Sequence, residues 1–416
     1  MISRKMSNKL VEALNNFRVV MLNGPRQSGK TTLVKSLSQS LNMDYITLDE
    51  PDKLQFAQID PATFLDFYAK KPLIIDEIQF APELIPYIKT RVDNTNTKGL
   101  FLLTGSADFM RMHKITESLA GRMVRYNLYP LANAEIKNKS HNIIDALFNL
   151  FSQDGVKLSN DSGLEKVIER IIVGGYPEIV TGEKTLISDW FESYLEARVQ
   201  KDILEYKHIS LSKLKVIRSL LKLLASYDAQ IINYYSIGKK LQISNKTVLS
   251  YVELLEAMYI IKTVPSYHTN SALKVIKSPK IHFIDTGLAC HLLNVNSERL
   301  FLKKDSSYGG LIENFVYSEL LKQATYSKTP AQIYHFRDLR KKEVDLVLEN
   351  RDGNIIGIEV KAKASIHKKD LKGMHALANA SQENFLNGFI FYGGKEIKPI
   401  ANDGRLFYCL PLGLLC

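Results

Sequence analysis

The stretch GPRQSGKT at residues 24–31 constrains the fold of this chain more than any other feature. It matches the pattern G-x-x-x-x-G-K-[ST], it follows the apolar run FRVVML at 17–22, and it opens a helix-period stretch at 30–41. A loop in this position turns backbone N–H groups toward phosphate oxygens at the start of a helix. The sequence therefore predicts a P-loop domain that binds the phosphates of a nucleotide.

The residue types in this loop suit ATP together with Mg²⁺. Gly24 and Gly29 let the backbone close around phosphate, Lys30 reaches the β and γ phosphates, and Thr31 offers its hydroxyl to Mg²⁺. We therefore expect ATP and Mg²⁺ as cofactors. The expected cofactor-binding residues are Gly24, Pro25, Arg26, Gln27, Ser28, Gly29, Lys30, Thr31 and Thr32.

Short apolar runs alternate with helix-period stretches through the first 130 residues, which is typical of a parallel sheet covered by helices. The predicted strands are 17–22, 44–48, 72–76, 100–104 and 123–128. The predicted helices are 30–41, 61–70, 82–92 and 107–119.

The second chemical signal is PLIIDEIQ at 72–79, an apolar strand that ends in two acids. We expect Asp76 to hold Mg²⁺ through water and Glu77 to polarise the attacking water. An acidic pair where a strand meets a loop is common by itself. Its position after the phosphate loop favours the functional interpretation.

Two further segments supply candidates for catalysis. LLTGSAD at 102–108 ends a strand with Thr104 and Ser106, whose hydroxyls could sense the γ-phosphate or the lytic water. LAGRMVRYNLYPL then brings Arg122 and Arg125, and an arginine here could reach the nucleotide of a neighbouring subunit as a finger. A surface salt bridge is the alternative for either arginine. We favour Arg122 because it follows Gly121, and the finger implies a homo-oligomer.

As a set these motifs resemble bacterial and archaeal AAA+ ATPases, which carry GPR-x-x-GKTTL, a strand ending IDEIQ, TGS, and LAGR followed by YPL. They stand here as GPRQSGKTTL, IIDEIQ, LTGSA and LAGRMVRYNLYPL. The resemblance covers nearly the whole chain. It implies an N-terminal ATPase domain and a C-terminal half of unassigned role that contains a winged helix and a nuclease-like fold.

A basic segment in the middle of the chain indicates a polyanionic partner. The net charge is +11, and residues 201–280 hold 13 Lys plus Arg against 5 Asp plus Glu. Within it, 236–264 reads as helix, turn, helix and strand, with Ser236 and Ser244 as N-caps. We expect double-stranded DNA to contact Asn245, Lys246 and Thr247. The following wing would carry Lys274 and Lys277, with Lys280 on or near it; a packing or subunit-contact role is the alternative.

Acidic residues near the C-terminus form a second candidate site. Glu359 and Lys361 end the strand GNIIGIEVKAKA (353–364), Asp345 lies on the preceding strand across a DGN turn, and Glu313 lies on an upstream helix. This is the pattern of the PD-(D/E)xK nuclease fold. The three carboxylates would bind Mg²⁺, and Lys361 would position or deprotonate water. Retention of the fold without cleavage is the alternative.

The predicted fold class is α/β, with a P-loop AAA+ parallel sheet, a helical and winged-helix middle, and a restriction-endonuclease-like α/β domain. The predicted domains are 1–130, 131–208, 209–285 and 286–416. Three cysteines without a C-x-x-C pair argue against a disulfide framework and a zinc site, and no apolar run is long enough for a membrane span. We expect a cytoplasmic ATP hydrolase acting on or regulated by DNA. A nucleotide-dependent oligomerisation switch, or a protein-interaction ATPase with an inactive nuclease-like domain, is the alternative.

Overall fold

The computed structural model describes residues 2–106, 119–149, 162–196, 203, 210–268, 278–302 and 307–416. It divides into two compact units. The first contains Met1–Leu131 and Ala257–Tyr259, and the second contains Ala132–Glu256 and Ile260–Cys416. The predicted segments 131–208, 209–285 and 286–416 fall almost entirely in the second unit, and their separation into domains stays a prediction.

The first unit is built on a parallel sheet of five strands in the order β2-β3-β4-β1-β5. The strands are β1 Val19–Asn23, β2 Asp44–Thr47, β3 Leu73–Asp76, β4 Phe101–Gly105 and β5 Met123–Asn127. The helices are α1 Met6–Asn16, α2 Lys30–Leu41, α3 Pro51–Ile59, α4 Pro61–Tyr68 and α5 Leu84–Asp93. All five predicted strands are confirmed, and so is the α/β fold class.

Helices cover both faces of this sheet, which explains why its central strands read as unbroken apolar runs. Strands β1, β3 and β4 are buried along their whole length. Apolar side chains of α1 and α2 pack with one set of strand residues. Those of α3, α4 and α5 pack with the alternate set. The sheet therefore fixes the carboxyl ends of β1, β3 and β4 at one edge, which carries the phosphate loop and the acid pair.

Two helix predictions in this unit need comment. The helix expected at 61–70 is confirmed as α4, whereas α3 was not expected. Pro51 and Pro61 each begin a helix, and Asp60 accepts a hydrogen bond from Thr63 N at 3.0 Å. The proline fixes the first helical residue, and the aspartate caps it. The expected helix at 107–119 falls almost entirely outside the described residues.

The second unit begins with helices. They are α6 Asn133–Ile136, α7 Ile143–Asn149, α8 Leu164–Val173, α9 Pro177–Thr181, α10 Ile187–Tyr194, α11 Leu211–Ser226, α12 Tyr234–Leu241, α13 Asn245–Ala257, α14 Thr286–Leu293, α15 Ser297–Phe301, α16 Tyr308–Ala324 and α17 Lys372–Ser381. Ser236 was expected to cap a helix, but it lies inside α12, and Asn233 is the cap that accepts from Ser236 N at 2.9 Å. Ser244 does cap α13, accepting from Thr247 N at 3.1 Å.

Two sheets complete the second unit. The antiparallel pair consists of β6 Ile261–Val264 and β7 Lys280–Phe283. The mixed sheet has the order β12-β13-β11-β10-β9-β8. Its strands are β8 Ala331–Arg337, β9 Glu343–Asn350, β10 Ile355–Lys361, β11 Phe385–Tyr392, β12 Lys398–Asn402 and β13 Arg405–Pro411. The antiparallel β9–β10 pair confirms the predicted hairpin, and α17 packs on this sheet through Met374 and Leu377.

Two expectations from composition can be compared with the described residues. Cys290, Cys409 and Cys416 are buried thiols, and none of the three is in a disulfide. In the described part of the chain, no helix combines the length and apolar character needed to cross a membrane.

Candidate functional site

The phosphate loop joins the end of β1 to the start of α2. Gly24 follows β1 directly, and a Cβ at this position would lie 2.2 Å from the carbonyl oxygen of Leu128, so only glycine fits. Lys30 begins α2 and is buried, and its Nζ donates to the carbonyl oxygens of Gly24 at 3.0 Å and Pro25 at 2.9 Å. The lysine ammonium therefore lies within the loop that the sequence assigned to phosphate.

The remaining loop residues differ in exposure. Pro25 and Ser28 are buried, Arg26, Gly29 and Thr31 are partly buried, and Gln27 and Thr32 are exposed. Arg4, which the sequence reasoning missed, holds this loop from outside. Its Nη1 donates to the carbonyl oxygen of Ser28 at 2.7 Å and its Nη2 to that of Tyr129 at 2.7 Å.

Asp76, at the end of β3, accepts three side-chain hydroxyls. Oδ2 accepts from Thr31 Oγ1 at 2.7 Å and from Tyr45 OH at 2.8 Å, and Oδ1 accepts from Thr104 Oγ1. The structure thus brings together the predicted Thr31, Asp76 and Thr104. Tyr45, on β2, was missed. Burial, and next the negative charge of Asp76, raises the pKa of the Tyr45 hydroxyl, so it remains a donor.

Glu77 follows Asp76 in a left-handed backbone conformation, with φ of 59°. Such a conformation is strained for a side chain other than glycine and recurs at active sites. Thr104 Oγ1 accepts from Glu77 N at 3.0 Å. The Thr104 hydroxyl therefore bonds the carboxylate of Asp76 and the backbone N–H of Glu77. These contacts fit a residue that positions the two acids better than a residue that contacts phosphate.

Gln79 is a second partner of Glu77, and it was not predicted from the sequence. Its Nε2 donates to Glu77 Oε2 and, at 3.0 Å, to Oγ of Ser106, the residue that follows β4. The strand ends of β3 and β4 are thus tied together through side chains. The Glu77 carboxylate is thereby held by Gln79 at the end of β3.

Buried polar atoms at this edge fit a ligand. Both side-chain polar atoms of Asn23, Ser28 Oγ and Gln79 Oε1 are buried without a hydrogen-bond partner. Buried polar groups are nearly always satisfied, so a group of orphans beside one loop indicates that something polar binds there. Together with Lys30, Thr31 and Asp76 they fit a nucleoside triphosphate with Mg²⁺.

Arg122 lies just before β5 and pairs with Asp93 at the end of α5. Its Nε and Nη2 both donate to the Asp93 carboxylate, the latter at 3.1 Å, and its Nη1 donates to the carbonyl oxygen of Ala120 at 3.0 Å. Both side chains are about one-third exposed, at 32% and 36%. The surface salt bridge that was the alternative interpretation is present, and the finger role stays a prediction.

Helices α12 and α13 carry the predicted nucleic-acid contacts. Asn245 and Lys246 are exposed at the start of α13, and Thr247 is half-buried, with its Oγ1 2.9 Å from Ser244 Oγ. Gly238 allows the two helices to approach, because a Cβ there would lie 2.7 Å from the carbonyl oxygen of Ile243. Lys274 and Lys277 lie outside the described residues.

The four C-terminal candidates also meet in space. Lys361 Nζ donates to Glu359 Oε2 at 2.6 Å and lies 3.7 Å from Asp345 Oδ2, which accepts from Val360 N at 2.8 Å. Glu313 joins them through a residue that was not expected, Lys280. Its Nζ donates to Glu313 Oε1 at 2.7 Å and lies 3.8 Å from Asp345 Oδ1. We call these five residues the carboxylate cluster.

Lys280 was expected on or near the wing, and it begins β7 directly after the segment assigned to that wing. Its side chain is only 5% exposed and lies beside α16. A lysine this buried needs carboxylate partners, which it has. Although burial lowers the pKa of Lys280, Glu313 and Asp345 raise it more, so the ammonium is charged.

The cluster does not fit the expected metal centre as it stands. Burial, and next the charge of Asp345, raises the pKa of Glu313 to about 7 and that of Glu359 well above its ordinary value. Despite burial, the charges of Asp345 and Glu359 raise the pKa of Lys361, which favours its ammonium form. Among the described residues, no three His, Cys, Asp or Glu side chains are grouped to hold a metal ion.

Comparison with known proteins assigns the first unit. Residues 16–137 match the family described as AAA domain. Residues 164–299 and 308–415 match two families described as domains of unknown function, DUF8612 and DUF4143. No one of the three matches spans half of the chain.

Relatives along most of the chain are themselves uncharacterized proteins. One from Mycobacterium tuberculosis is 27% identical over 361 residues, 86% of this chain and 73% of its own length. Another, from Haemophilus influenzae, is 23% identical over 372 residues, 85% of each chain. The solved Walker-type ATPase of Pyrococcus abyssi is similar over 70% of this chain and 96% of its own, at 16% identity and a TM-score of 0.45. On the family match and the phosphate-loop motif, residues 16–137 are a P-loop ATPase domain of the AAA class.

Proposed function

We propose that this chain is a Mg²⁺-dependent ATP hydrolase that works as a homo-oligomer and couples its nucleotide cycle to double-stranded DNA. The observation that carries the enzymatic part is the hydrogen bond of 2.7 Å between Thr31 of the phosphate loop and Asp76 at the end of β3. These two side chains belong to different motifs, and each is of the type that holds Mg²⁺ beside triphosphate.

The chain's own residues divide the work of hydrolysis. Bound ATP with Mg²⁺ would supply the scissile anhydride and a cation that neutralises phosphate charge. Lys30 would exchange its loop carbonyls for phosphate oxygens, and Thr31 and Asp76 would hold the cation. Glu77, held by Thr104 and Gln79, would orient the water and draw its proton.

Phosphate release by purified protein tests this assignment. Glu77→Gln should retain ATP binding and hydrolyse at least about a hundredfold more slowly, because it removes the group that activates water. Lys30→Ala should lose binding. Glu83→Gln, at an exposed glutamate before α5, is the matched control and should behave as wild type. Hydrolysis by Glu77→Gln at the wild-type rate would overturn the role of Glu77.

Contact with DNA is supported by the helix pair α12 and α13 and by the basic charge around it. Lys246 is exposed at the first turn of α13, where a positive side chain meets phosphate in a helix-turn-helix. Winged-helix character would add the segment between β6 and β7, which holds Lys274 and Lys277. The antiparallel pairing of β6 with β7 is consistent with a hairpin stem.

Fluorescence anisotropy with a labelled duplex at several salt concentrations tests the DNA contact. Lys246→Glu should weaken binding and lower the slope of log affinity against log salt by about 1 or more. Lys166→Glu makes the same charge change at an exposed lysine outside the helix pair and should have little effect. Absence of binding at low salt would favour the protein-interaction alternative.

Arg122 and the oligomer are tested together by mixing variants. An arginine finger contributes about 10³–10⁵ in rate, so Arg122→Ala should be nearly inactive, whereas Arg125→Ala should not. If Arg122 acts on a neighbour's nucleotide, a mixture of Arg122→Ala and Glu77→Gln proteins should regain activity that neither has alone. A mixture that stays inactive would argue against the finger. Tight nucleotide retention with negligible turnover in the wild type would favour the oligomerisation switch.

Metal-dependent cleavage of DNA by the carboxylate cluster is not part of the proposal. Two lysine ammonium groups lie among its three carboxylates, and Lys361 is held as a cation. The observation favours a nuclease-like fold that is catalytically inactive.

A further inference from the structure

The carboxylate cluster alternates in charge from one end to the other. Glu313 contacts Lys280, Lys280 lies near Asp345, Asp345 lies near Lys361, and Lys361 contacts Glu359. Each acid therefore has an ammonium neighbour, and three carboxyl groups share two ammonium groups. A nuclease-type metal centre would instead have the acids facing one another across a cation.

Lys280 is the member that the fold brings in from outside the hairpin. Three contacts hold β7 and the residue after it along α16: Lys280 with Glu313, His282 Nδ1 with Asn314 Oδ1 at 3.2 Å, and the carbonyl oxygen of Ile284 with Ser318 Oγ at 3.0 Å. His282 also stacks on Tyr317, with ring centroids 4.1 Å apart. The Lys280 ammonium is thus fixed between Glu313 and Asp345 by the packing of β7, and it is not a surface side chain that happens to reach them.

We infer that the Lys280 ammonium takes the position of a divalent cation, so that the carboxylate cluster is a closed network of carboxyl and ammonium groups that joins β7, α16 and the β9–β10 hairpin. An ammonium hydrogen-bonds carboxylate oxygen at about 2.7–2.9 Å, whereas Mg²⁺ requires oxygens at about 2.0–2.1 Å and near-octahedral geometry. The 2.7 Å contact between Lys280 and Glu313 has the length of an ammonium–carboxylate hydrogen bond. The network supplies its own counter-charge and needs no metal to be folded.

Mn²⁺ binding to the full-length, nucleotide-free protein, followed by electron paramagnetic resonance, tests the inference. The wild type should show no Mn²⁺ binding that depends on Asp345. Lys280→Met removes the ammonium at similar length, and it should gain a site of at least about tenfold higher affinity, since affinity rises with the net negative charge of the ligands. The gained site should disappear in Lys280→Met/Asp345→Asn.

Lys262→Met is the matched control. Lys262 lies on β6, directly paired in register with β7, and it is ion-paired with Glu256 at 2.7 Å, but its side chain is 36% exposed. Loss of this lysine should create no Mn²⁺ site. This control shows whether a new Mn²⁺ site follows from the loss of any ion-paired lysine on the two-stranded sheet or only from the loss of Lys280.

Lys280→Met leaves Glu313 without its partner and could impair folding, so two further measurements keep the test decisive. Lys280→Met/Glu313→Gln removes both charges and should fold, and thermal melting of Lys280→Met should shift upward with added Mn²⁺. Mn²⁺ binding by the wild type that Asp345→Asn abolishes would overturn the inference. So would a folded Lys280→Met protein that binds no more Mn²⁺ than the wild type.

Discussion

Arg4 lies outside the phosphate-loop motif and yet holds its backbone. Because a peptide unit is planar and trans, a carbonyl of Ser28 that points at Arg4 directs the following N–H, that of Gly29, to the opposite side. Arg4→Met would release that carbonyl. We expect it to weaken binding of a non-hydrolysable ATP analogue by about tenfold or more, the scale of a charge-assisted hydrogen bond, as measured by titration calorimetry.

Arg91→Met is the matched control for this prediction. Arg91 also donates to a backbone carbonyl, that of Ala69 at 3.1 Å, but on helices α4 and α5 and away from the loop. It should change stability and leave nucleotide affinity unaltered. Equal effects of the two substitutions would mean that Arg4 acts only through folding.

Residues within one motif could be predicted from the sequence, and their partners from elsewhere in the chain could not. Lys30, Thr31, Asp76 and Glu77 were predictable because each stands in a short sequence motif. Arg4, Tyr45 and Lys280 stand in no such motif. An arginine before a helix, a tyrosine in a strand and a lysine after a proline are each common in proteins and predict no particular partner. Lys280 was assigned to a wing for its charge, and only burial showed that its partners are acids.

Between elements, the turn that follows α8 shows how one side chain joins distant helices. Asp285, the N-cap of α14, accepts from Leu288 N at 3.1 Å and from Gly175 N at 2.7 Å. Gly174 has φ of 70°, and a Cβ there would lie 2.2 Å from Asp285 Oδ1. Gly174→Ala should therefore lower the free energy of unfolding by about 1–3 kcal/mol or more, measured by denaturant melts.

Gly309→Ala provides the comparison. Gly309 lies in the first turn of α16, and a Cβ there would meet no atom within 4 Å. The same substitution should be neutral or stabilising, because alanine favours helix over glycine by about 1 kcal/mol. A Gly174→Ala protein as stable as Gly309→Ala would contradict the described approach of Asp285.

The packing of β7 on α16 also predicts a pH dependence of stability. Burial, and next the charge of Lys280, lowers the pKa of His282 well below 6.5, with His335 adding to the effect and Asn314 opposing it. At pH values between the pKa of His282 in the folded protein and its pKa in the unfolded chain, the unfolded chain binds more protons. The free energy of unfolding therefore falls as pH decreases below about 6.5, by up to about 1.4 kcal/mol per pH unit.

Replacing His282 by phenylalanine isolates this contribution. The ring can still stack on Tyr317, but it has no proton to gain. The difference in unfolding free energy between the wild type and His282→Phe should shift in favour of the variant between about pH 7.5 and about pH 5.5. A difference that does not change with pH would show that His282 is not the group responsible.

Elements were predictable where the local pattern is strong. The buried strands of the first sheet, and the order helix, helix, strand at 236–264, follow from apolar runs and periodicity. The helix α3 was not predicted, although Pro51 marks its start. Strands β12 and β13 were not assigned, since β12 is an edge strand with mostly exposed residues.

At the scale of the whole molecule, the chain re-enters the first unit immediately after the proposed DNA-reading helix. Residues Ala257–Tyr259 belong to that unit. Tyr259 OH donates to Asn127 Oδ1 at 2.9 Å, at the end of β5. The next residue, Leu128, donates from its N to the carbonyl oxygen of Asn23 at 2.7 Å and lies against Gly24. A hydrogen-bonded path therefore connects Tyr259 with the start of the phosphate loop.

This path predicts that DNA stimulates ATP hydrolysis and that Tyr259 transmits part of the effect. Tyr259 follows α13 closely in the chain, and its hydroxyl is hydrogen-bonded to Asn127 at the end of β5. Tyr259→Phe should keep basal hydrolysis within about twofold and keep DNA affinity, but reduce the stimulation by about fivefold or more, within the usual range of coupling energies.

The assay is phosphate release with and without saturating duplex, beside anisotropy to verify that DNA is bound. Tyr235→Phe is the control, since Tyr235 is a tyrosine of the neighbouring α12 that is 67% exposed. Stimulation that survives in Tyr259→Phe would place the coupling elsewhere. If bound DNA does not stimulate the wild type, ATP hydrolysis and DNA binding are not coupled in this protein.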